Sequence, residues 1–129
     1  MVILDTSIII DHVRRNHNQE TLLVQIANKI TNYHLSISVI TIQELFRGTS
    51  TRNSEDLQFL NAIIGSLHVV SYTYEIAQKA GEIGRDRQEV IQFADAAIAA
   101  TAIVNTAQLA TLNAKDFLHI PGLEIYKMD

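Results

Sequence analysis

Short runs of apolar residues alternate along the chain with longer segments in which apolar residues recur every three or four positions. The short runs are typical of strands, and the longer segments are typical of helices that bury one face. The runs predict strands at 2–4, 35–38, 67–70, 109–111 and 123–126. The longer segments predict helices at about 6–15, between Asn18 and Tyr33, and at 39–47, 54–65, 73–90 and 94–105, with a short helical turn at 114–118. Strands that alternate with helices in this way indicate an α/β domain with a mainly parallel sheet.

Polar residues and glycines mark where the predicted helices begin and end. Residue types that cap helix N-termini stand before three of the predicted helices, namely Asn18, Ser38 and Asn53 or Ser54. Gly48 and Gly65 stand where two helices should stop, and the polar segment 49–53 predicts a loop. Because the chain has no internal repeat, low-complexity stretch or linker, its 129 residues are expected to form one domain, 1–129.

Composition narrows the class of protein. Hydrophobic residues make up 47% of the chain, which favours a folded domain over disorder. No apolar run approaches the length of a membrane span and no basic segment precedes the apolar start, so neither a transmembrane helix nor a secretory signal is expected. The sequence has no cysteine for a disulfide or a thiolate metal site, and a cytoplasmic protein is the simplest expectation.

The formal net charge of −4 argues against a protein that coats nucleic acid through a broad basic surface. It is compatible with an enzyme that acts on nucleic acid, because such an enzyme can carry negative charge in its site and neutralise it with metal ions.

Asp5 directly follows the first predicted strand. Ligand sites in open parallel sheets lie beyond the carboxyl ends of the strands, so Asp5 is expected to face a crevice there. The alternative is structural, because Asp5 or Thr6 could instead cap the helix that follows.

Three further acids stand in comparable places. Glu44 lies on the helix behind the second strand, where its alternative role is that of a solvated surface residue. Asp95 opens the last long helix in line with Ile98 and Ala99, so it should sit at the rim of the core; its alternative role is capping or a favourable interaction with the helix dipole. Asp116 follows the strand at 109–111, in a context that ordinary turn chemistry would also explain.

Two side chains near Asp116 could support such a site. Thr111 places a hydroxyl at the end of a strand, and Asn113 could cap the following turn or orient a water molecule.

The four acids are more informative together than singly. Residues just beyond different strands of a parallel sheet gather at one edge, and carboxylates gathered there repel one another unless cations are present. Oxygen ligands without cysteine suit hard ions such as Mg²⁺ or Mn²⁺. Two such ions can bridge a phosphodiester, activate a water molecule and stabilise the leaving oxygen.

The acids stand in four short motifs. In chain order the motifs are Leu4-Asp5-Thr6-Ser7, Thr41-x-x-Glu44-Leu45, Asp95-Ala96-x-Ile98-Ala99-Ala100-Thr101-Ala102 and Thr111-x-Asn113-x-x-Asp116-Phe117. Through these motifs the sequence resembles the PIN-domain family, and within it the VapC-type ribonuclease toxins. The likeness covers nearly the whole chain, and the third motif is the most specific.

The resemblance implies a three-layer α/β/α sandwich and a metal-dependent endoribonuclease that cleaves RNA. It also implies a homodimer and a cognate antitoxin that reaches the active site. It makes Asp5, Glu44, Asp95 and Asp116 the acidic quartet. Asp5 and Asp95 would be the principal metal ligands and Asp116 would ligate directly or through water. Glu44 would orient or activate a water molecule, and the hydroxyls of Thr6 and Thr111 would support the site.

One segment departs from the family. Many members have a glycine shortly before the late aspartate, whereas this chain has no glycine in 87–92. The shape of this loop, and with it the choice of substrate, is therefore expected to differ. Arg47, Arg85 and Arg87 are candidate contacts to RNA phosphates, against the alternative that they are solvated surface residues.

Three other functions are alternatives to a toxin nuclease. A phosphotransferase with Asp5 as covalent nucleophile usually needs a second aspartate two residues later, but Ser7 stands there. A PIN-domain nuclease of RNA processing outside a toxin system and a degenerate binding module both fit the same motifs.

Overall fold

The computed structural model describes residues 1–15, 20–31 and 34–127. Within them, five parallel strands form one sheet in the order β3-β2-β1-β4-β5. The strands are β1 (Val2–Leu4), β2 (Leu35–Ser38), β3 (His68–Val70), β4 (Gln108–Ala110) and β5 (Glu124–Ile125). This sheet confirms the predicted α/β class with a parallel sheet.

Six α-helices accompany the sheet in the described part of the chain. They are α1 (Thr6–Arg14), α2 (Leu22–Lys29), α3 (Val39–Arg47), α4 (Ser54–Gly65), α5 (Tyr74–Asp86) and α6 (Phe93–Val104). Two 3₁₀ helices, Thr49–Arg52 and Ala114–Phe117, lie in the connections. None of the helices in these ranges is both long enough and apolar enough to cross a membrane.

The sheet is covered on both faces, which gives the three layers that the resemblance implied. Ile3 and Leu109 of the central strands pack with α5 and α6 in one core. Leu4 and Ile37 pack with α1, α2 and α4 in the other. Alternate residues of a strand point to opposite faces, so the apolar strands β1 and β4 contribute to both cores.

Helix α6 lies close to the sheet because its side chains are small. Residues 96–102 are buried without a break, and five of these seven residues are alanine. The sequence predicted only a buried stripe, but the helix is enclosed on all sides. The first turn of α6, which carries Asp95, is thereby fixed at the carboxyl edge of the sheet.

Several predicted boundaries need correction. Helix α5 ends at Asp86 and not near 90, because Arg87 takes an extended backbone and its guanidinium bonds instead to the Leu118 carbonyl at 3.0 Å. Helix α2 begins at Leu22, where the Thr21 hydroxyl accepts from the backbone N–H of Val24. The cap predicted at Asn18 lies outside the described residues.

The other predicted helix ends hold closely. Ser38 caps α3 through the backbone N–H of Ile40 at 3.0 Å, and Asn53 caps α4 through two backbone N–H groups. Helix α3 stops before Gly48 as expected, although Gly48 has φ −69° and needs no left-handed freedom there. The predicted loop 49–53 contains the 3₁₀ helix Thr49–Arg52.

Candidate active site

Asp5 leaves β1 at the carboxyl edge of the sheet. Its backbone N–H donates to the Ala110 carbonyl of neighbouring β4 at 2.8 Å, so the sheet itself fixes its position. Its side chain is buried, and it makes no capping hydrogen bond to α1. The capping alternative is therefore wrong for this carboxylate. Oδ2 of Asp5 instead accepts from the hydroxyls of Ser7 at 2.8 Å and Thr111 at 2.7 Å.

These two hydroxyls also organise the loop after β4. Ser7 Oγ accepts from the backbone N–H of Leu112 at 3.2 Å, and Thr111 Oγ1 accepts from that of Asn113 at 3.0 Å. Asp5 and the segment that leads to Asp116 are thus joined across 106 positions of sequence. Ser7 was missed as a site residue, although its place two residues after Asp5 was the available signal.

Glu44 is held by the start of α1. The Thr6 hydroxyl donates to Glu44 Oε1 at 2.6 Å and lies 3.1 Å from the buried hydroxyl of Thr41. Glu44 itself is only partly exposed, so the reading of a freely solvated helix glutamate is wrong. Its other oxygen, Oε2, accepts no hydrogen bond from the described residues.

Asp95 stands in the first turn of α6 and is partly buried. It does not cap the helix, since the cap position is Gln92, which itself makes no side-chain capping bond. Burial, and after it repulsion from the carboxylates of Asp5, Glu44 and Asp116, together raise the pKa of Asp95 to about 6. Helix-dipole stabilisation is worth only about 0.3–1 kcal/mol, so it is too weak to offset these effects.

The structure therefore places Asp5, Glu44 and Asp116 near enough to Asp95 for their charges to raise its pKa. Asp116 is the most exposed of them and lies on the 3₁₀ helix Ala114–Phe117. Asn113 precedes that helix but makes no side-chain cap. Within residues 1–15, 20–31 and 34–127, no three acidic or histidine side chains are already drawn together closely enough to enclose a metal ion. The repulsion felt by Asp95 gives a reason why the carboxylates stand apart.

The donor set fits a hard divalent cation. Oδ1 of Asp5 and both oxygens of Asp95 accept no hydrogen bond from the described residues, so they are available as ligands. A cation would also relieve the repulsion that raises the pKa of Asp95. Mg²⁺ and Mn²⁺ prefer carboxylate oxygens of this kind.

The three candidate RNA-binding arginines are placed differently. Arg87 lines a cleft beside Asp95 and Asp116, but its guanidinium bonds to backbone carbonyls. Arg85 makes two hydrogen bonds to the carboxylate of Asp86, at 2.6 and 2.7 Å. Arg47 is exposed at the end of α3, and its contact with RNA stays a prediction.

Replacing Thr111 with valine is expected to lower the free energy of unfolding by about 1.5–3 kcal/mol, the scale for a hydrogen bond to a charged group. Valine keeps the shape of the side chain but leaves the buried Asp5 carboxylate with one hydroxyl donor instead of two. Urea unfolding at neutral pH measures this. The matched control is Thr51→Val, whose hydroxyl makes an exposed bond to the Gly48 carbonyl. An equal loss in both variants would contradict the assigned role.

Comparison with known proteins identifies the family. The PIN domain matches residues 2–123 of this chain. The chain belongs to the PIN-domain family. Ribonuclease VapC19 of Mycobacterium tuberculosis is 32% identical over 127 residues, which cover 96% of this chain and 98% of the relative. Ribonuclease VapC10 of the same species is 34% identical over 130 residues, which cover 98% and 91%.

Solved structures share the fold of this PIN domain. A DNA-bound VapBC from Salmonella typhimurium superposes with a TM-score of 0.83 at 25% identity, and the match covers 99% of this chain and 98% of that one. VapBC2 from Rickettsia felis, bound to a promoter DNA fragment, has a TM-score of 0.82 at 24% identity over the full length of both chains. The fold and family that the four motifs implied are thus confirmed.

Proposed function

We propose that this PIN domain is a metal-dependent endoribonuclease and the toxin of a toxin–antitoxin pair. Asp5, Glu44, Asp95 and Asp116 are its active-site acids. The supporting observation is the raised pKa of Asp95, which arises partly because the other three carboxylates repel its charge. Relatives at 32–34% identity over almost their whole length carry the name Ribonuclease VapC.

Asp5 and Asp95 are the proposed principal ligands of Mg²⁺, or of Mn²⁺ in its place, and Asp116 ligates directly or through water. A bound divalent ion would lower the pKa of a water molecule and stabilise negative charge on the phosphate. Asp5 is suited to this part because Ser7 and Thr111 fix one of its oxygens and leave the other open.

Glu44 is proposed to orient and deprotonate the attacking water. The Thr6 hydroxyl holds Oε1, so Oε2 presents a fixed acceptor for the proton of a water molecule. Thr6 and Thr111 therefore position the two carboxylates of Glu44 and Asp5. Asn113 is exposed directly before the 3₁₀ helix that carries Asp116, and its amide is proposed to bind a further water molecule.

We infer an antitoxin as protein partner. Solved structures that resemble this chain over nearly its whole length include complexes named VapBC or toxin–antitoxin complex. A partner that covers the four acids would silence the nuclease by excluding both RNA and metal. A homodimer is proposed on the family resemblance alone.

The decisive experiment is RNA cleavage by the purified protein with and without divalent metal. We expect cleavage in Mg²⁺ that falls by roughly 100-fold or more in EDTA, because the water and the leaving oxygen lose their charge stabilisation. Restoring Mg²⁺ or adding Mn²⁺ should restore the rate. Asp5→Asn protein purified in the same way controls for contaminating nuclease. Cleavage that continues in EDTA at the Mg²⁺ rate would refute the metal-dependent mechanism.

A further inference from the structure

A cleft opens directly beside two of the four acids. Asp95 and Asp116 line it together with two segments that we call its walls, the α5–α6 connection and the end of the second 3₁₀ helix. The residues that line it are Arg87, Glu89, Val90, Ile91, Gln92, Asp95, Lys115, Asp116 and Leu118. The roles proposed above use Asp95 and Asp116 but none of the other residues that line this cleft.

Two of the lining residues are apolar and strongly exposed. Val90 is 96% exposed and Leu118 is 51% exposed. Single exposed apolar residues are common on proteins. These two lie on different segments of one cleft, however, so together they offer apolar contact from both of its walls.

The two walls are fixed to each other by side chains of the cleft. Arg87 Nε donates to the carbonyl of Leu118 at 3.0 Å, and its Nη1 donates to the carbonyl of Val90 at 3.4 Å. Beside them, His119 Nδ1 lies 2.5 Å from Glu89 Oε1. Arg87 thus bonds to both apolar residues through their backbone, and it acts as a positioning residue where the sequence suggested a phosphate contact.

Lys115 supplies a positive charge that is not engaged by backbone carbonyls, as the guanidinium of Arg87 is. It lines the cleft next to Asp116, it is exposed, and it forms no ion pair within the described ranges. An ammonium group in this place can contact a nucleic-acid phosphate near the four acids. Neither the spacing nor the motifs of the sequence singled it out.

We propose that this cleft binds one unpaired nucleobase of the RNA between Val90 and Leu118, with Lys115 on an adjoining phosphate. The inference rests on the proposed nuclease function and names the class of substrate as RNA with an unstacked base at the cut. Bases splayed out of a single strand are held on apolar or planar surfaces while cations follow the backbone. A wall of two side chains suits one base, whereas a stable protein interface needs roughly 1,000 Å² or more.

The test is cleavage of a randomised pool of short single-stranded RNAs in Mg²⁺, with the cut sites sequenced. Wild-type protein should show a base preference at one position that flanks the cut. Val90→Ser and Leu118→Ser should flatten that preference and lower kcat/KM for the preferred sequences by roughly tenfold, the scale of one base contact. Because Val90 is almost fully exposed, its replacement should not disturb folding.

Lys115→Ala should act differently from the apolar variants. It should lower kcat/KM equally for all sequences and reduce the slope of log kcat/KM against log salt by about 0.7, as expected for one lost phosphate contact on a single strand. Arg52→Ala is the matched charge control, and Tyr74→Ser is the control for loss of an exposed apolar side chain, since both residues lie outside the cleft.

The outcomes separate this inference from the proposed function. Wild-type protein that cleaves no RNA in Mg²⁺ would refute the nuclease itself. Cleavage with the same base preference in wild type, Val90→Ser and Leu118→Ser would overturn the nucleobase site alone. Loss of binding to a protein partner in those variants, with base preference unchanged, would also overturn it and would assign the apolar walls to that partner.

Discussion

Replacing Asp95 with asparagine is expected to stabilise the metal-free protein while abolishing RNA cleavage. At pH 7 the gain in the free energy of unfolding should be about 1–2 kcal/mol, and the rate of cleavage should fall by roughly 100-fold or more. The two effects have one cause. The charged form of Asp95 is disfavoured by partial burial and by repulsion from three other carboxylates, whereas asparagine has no charge at this position.

The sign of the pH dependence follows from the raised pKa. The pKa of Asp95 lies near 6 in the folded protein, above its ordinary value of 3.8. Between these values the folded state binds the proton more tightly than the unfolded state, so stability falls as the pH rises from about 4 to 6. The stability gain of Asp95→Asn should therefore be full above pH 6 and should vanish below about pH 4.

Urea unfolding in EDTA at several pH values measures this gain. Asp86→Asn is the control, because Asp86 is exposed and is paired with Arg85 outside the site; it should be slightly less stable and equally active. An Asp95→Asn protein less stable than wild type at pH 7 would show that the acids do not repel one another as the structure indicates.

Divalent metal is expected to stabilise the wild-type protein and to do so only when the acids are intact. A ligand that binds the folded state alone stabilises it by about 1.4 kcal/mol at ten times its dissociation constant and about 2.7 kcal/mol at one hundred times. Thermal unfolding at increasing Mg²⁺ concentrations should follow this relation. Asp5→Asn should weaken the response strongly. The hydroxyls of Ser7 and Thr111 fix Oδ2 of Asp5, and Oδ1 is the oxygen proposed to bind the ion.

A nonspecific effect of salt is separated by two comparisons. Na⁺ at equal ionic strength should not reproduce the stabilisation, because the site calls for a compact divalent ion with several oxygen ligands. Asp86→Asn should respond to Mg²⁺ as wild type does. A response of equal size in Asp5→Asn would place the ion elsewhere.

The motifs grouped the four acids into one predicted site, and for two of them the topology of the sheet explains why they lie at the same edge. Asp5 follows β1 and Asp116 follows β4, and these strands are neighbours in a parallel sheet, so their carboxyl ends share one edge. Periodicity alone could not give the strand order 3-2-1-4-5. The family resemblance grouped the acids as one quartet, and the strand order came only from the structure.

Side-chain partners were harder to predict from the sequence. Thr6 was expected to support the site, but its bond to Glu44 depends on how α1 and α3 pack. Arg87 looked like a phosphate contact because it is a cation next to a polar loop. Its bond to the Val90 carbonyl is local, but its bond to the Leu118 carbonyl depends on the end of α5 meeting a segment 31 residues later, which local pattern does not encode.

The sequence by itself determined the alternation of strands and helices, the family, and the four acids with their order along the chain. These features are local or are carried by short motifs, since hydrophobic period and residue type act within one element. Only the tertiary structure decided that Ser7 and Thr111 share one oxygen of Asp5, that Asp95 is repelled by three distant carboxylates, and that Lys115 lies in a cleft beside them. Hydrogen bonds and electrostatic interactions depend on separation in space, and packing of the helices against the sheet sets that separation.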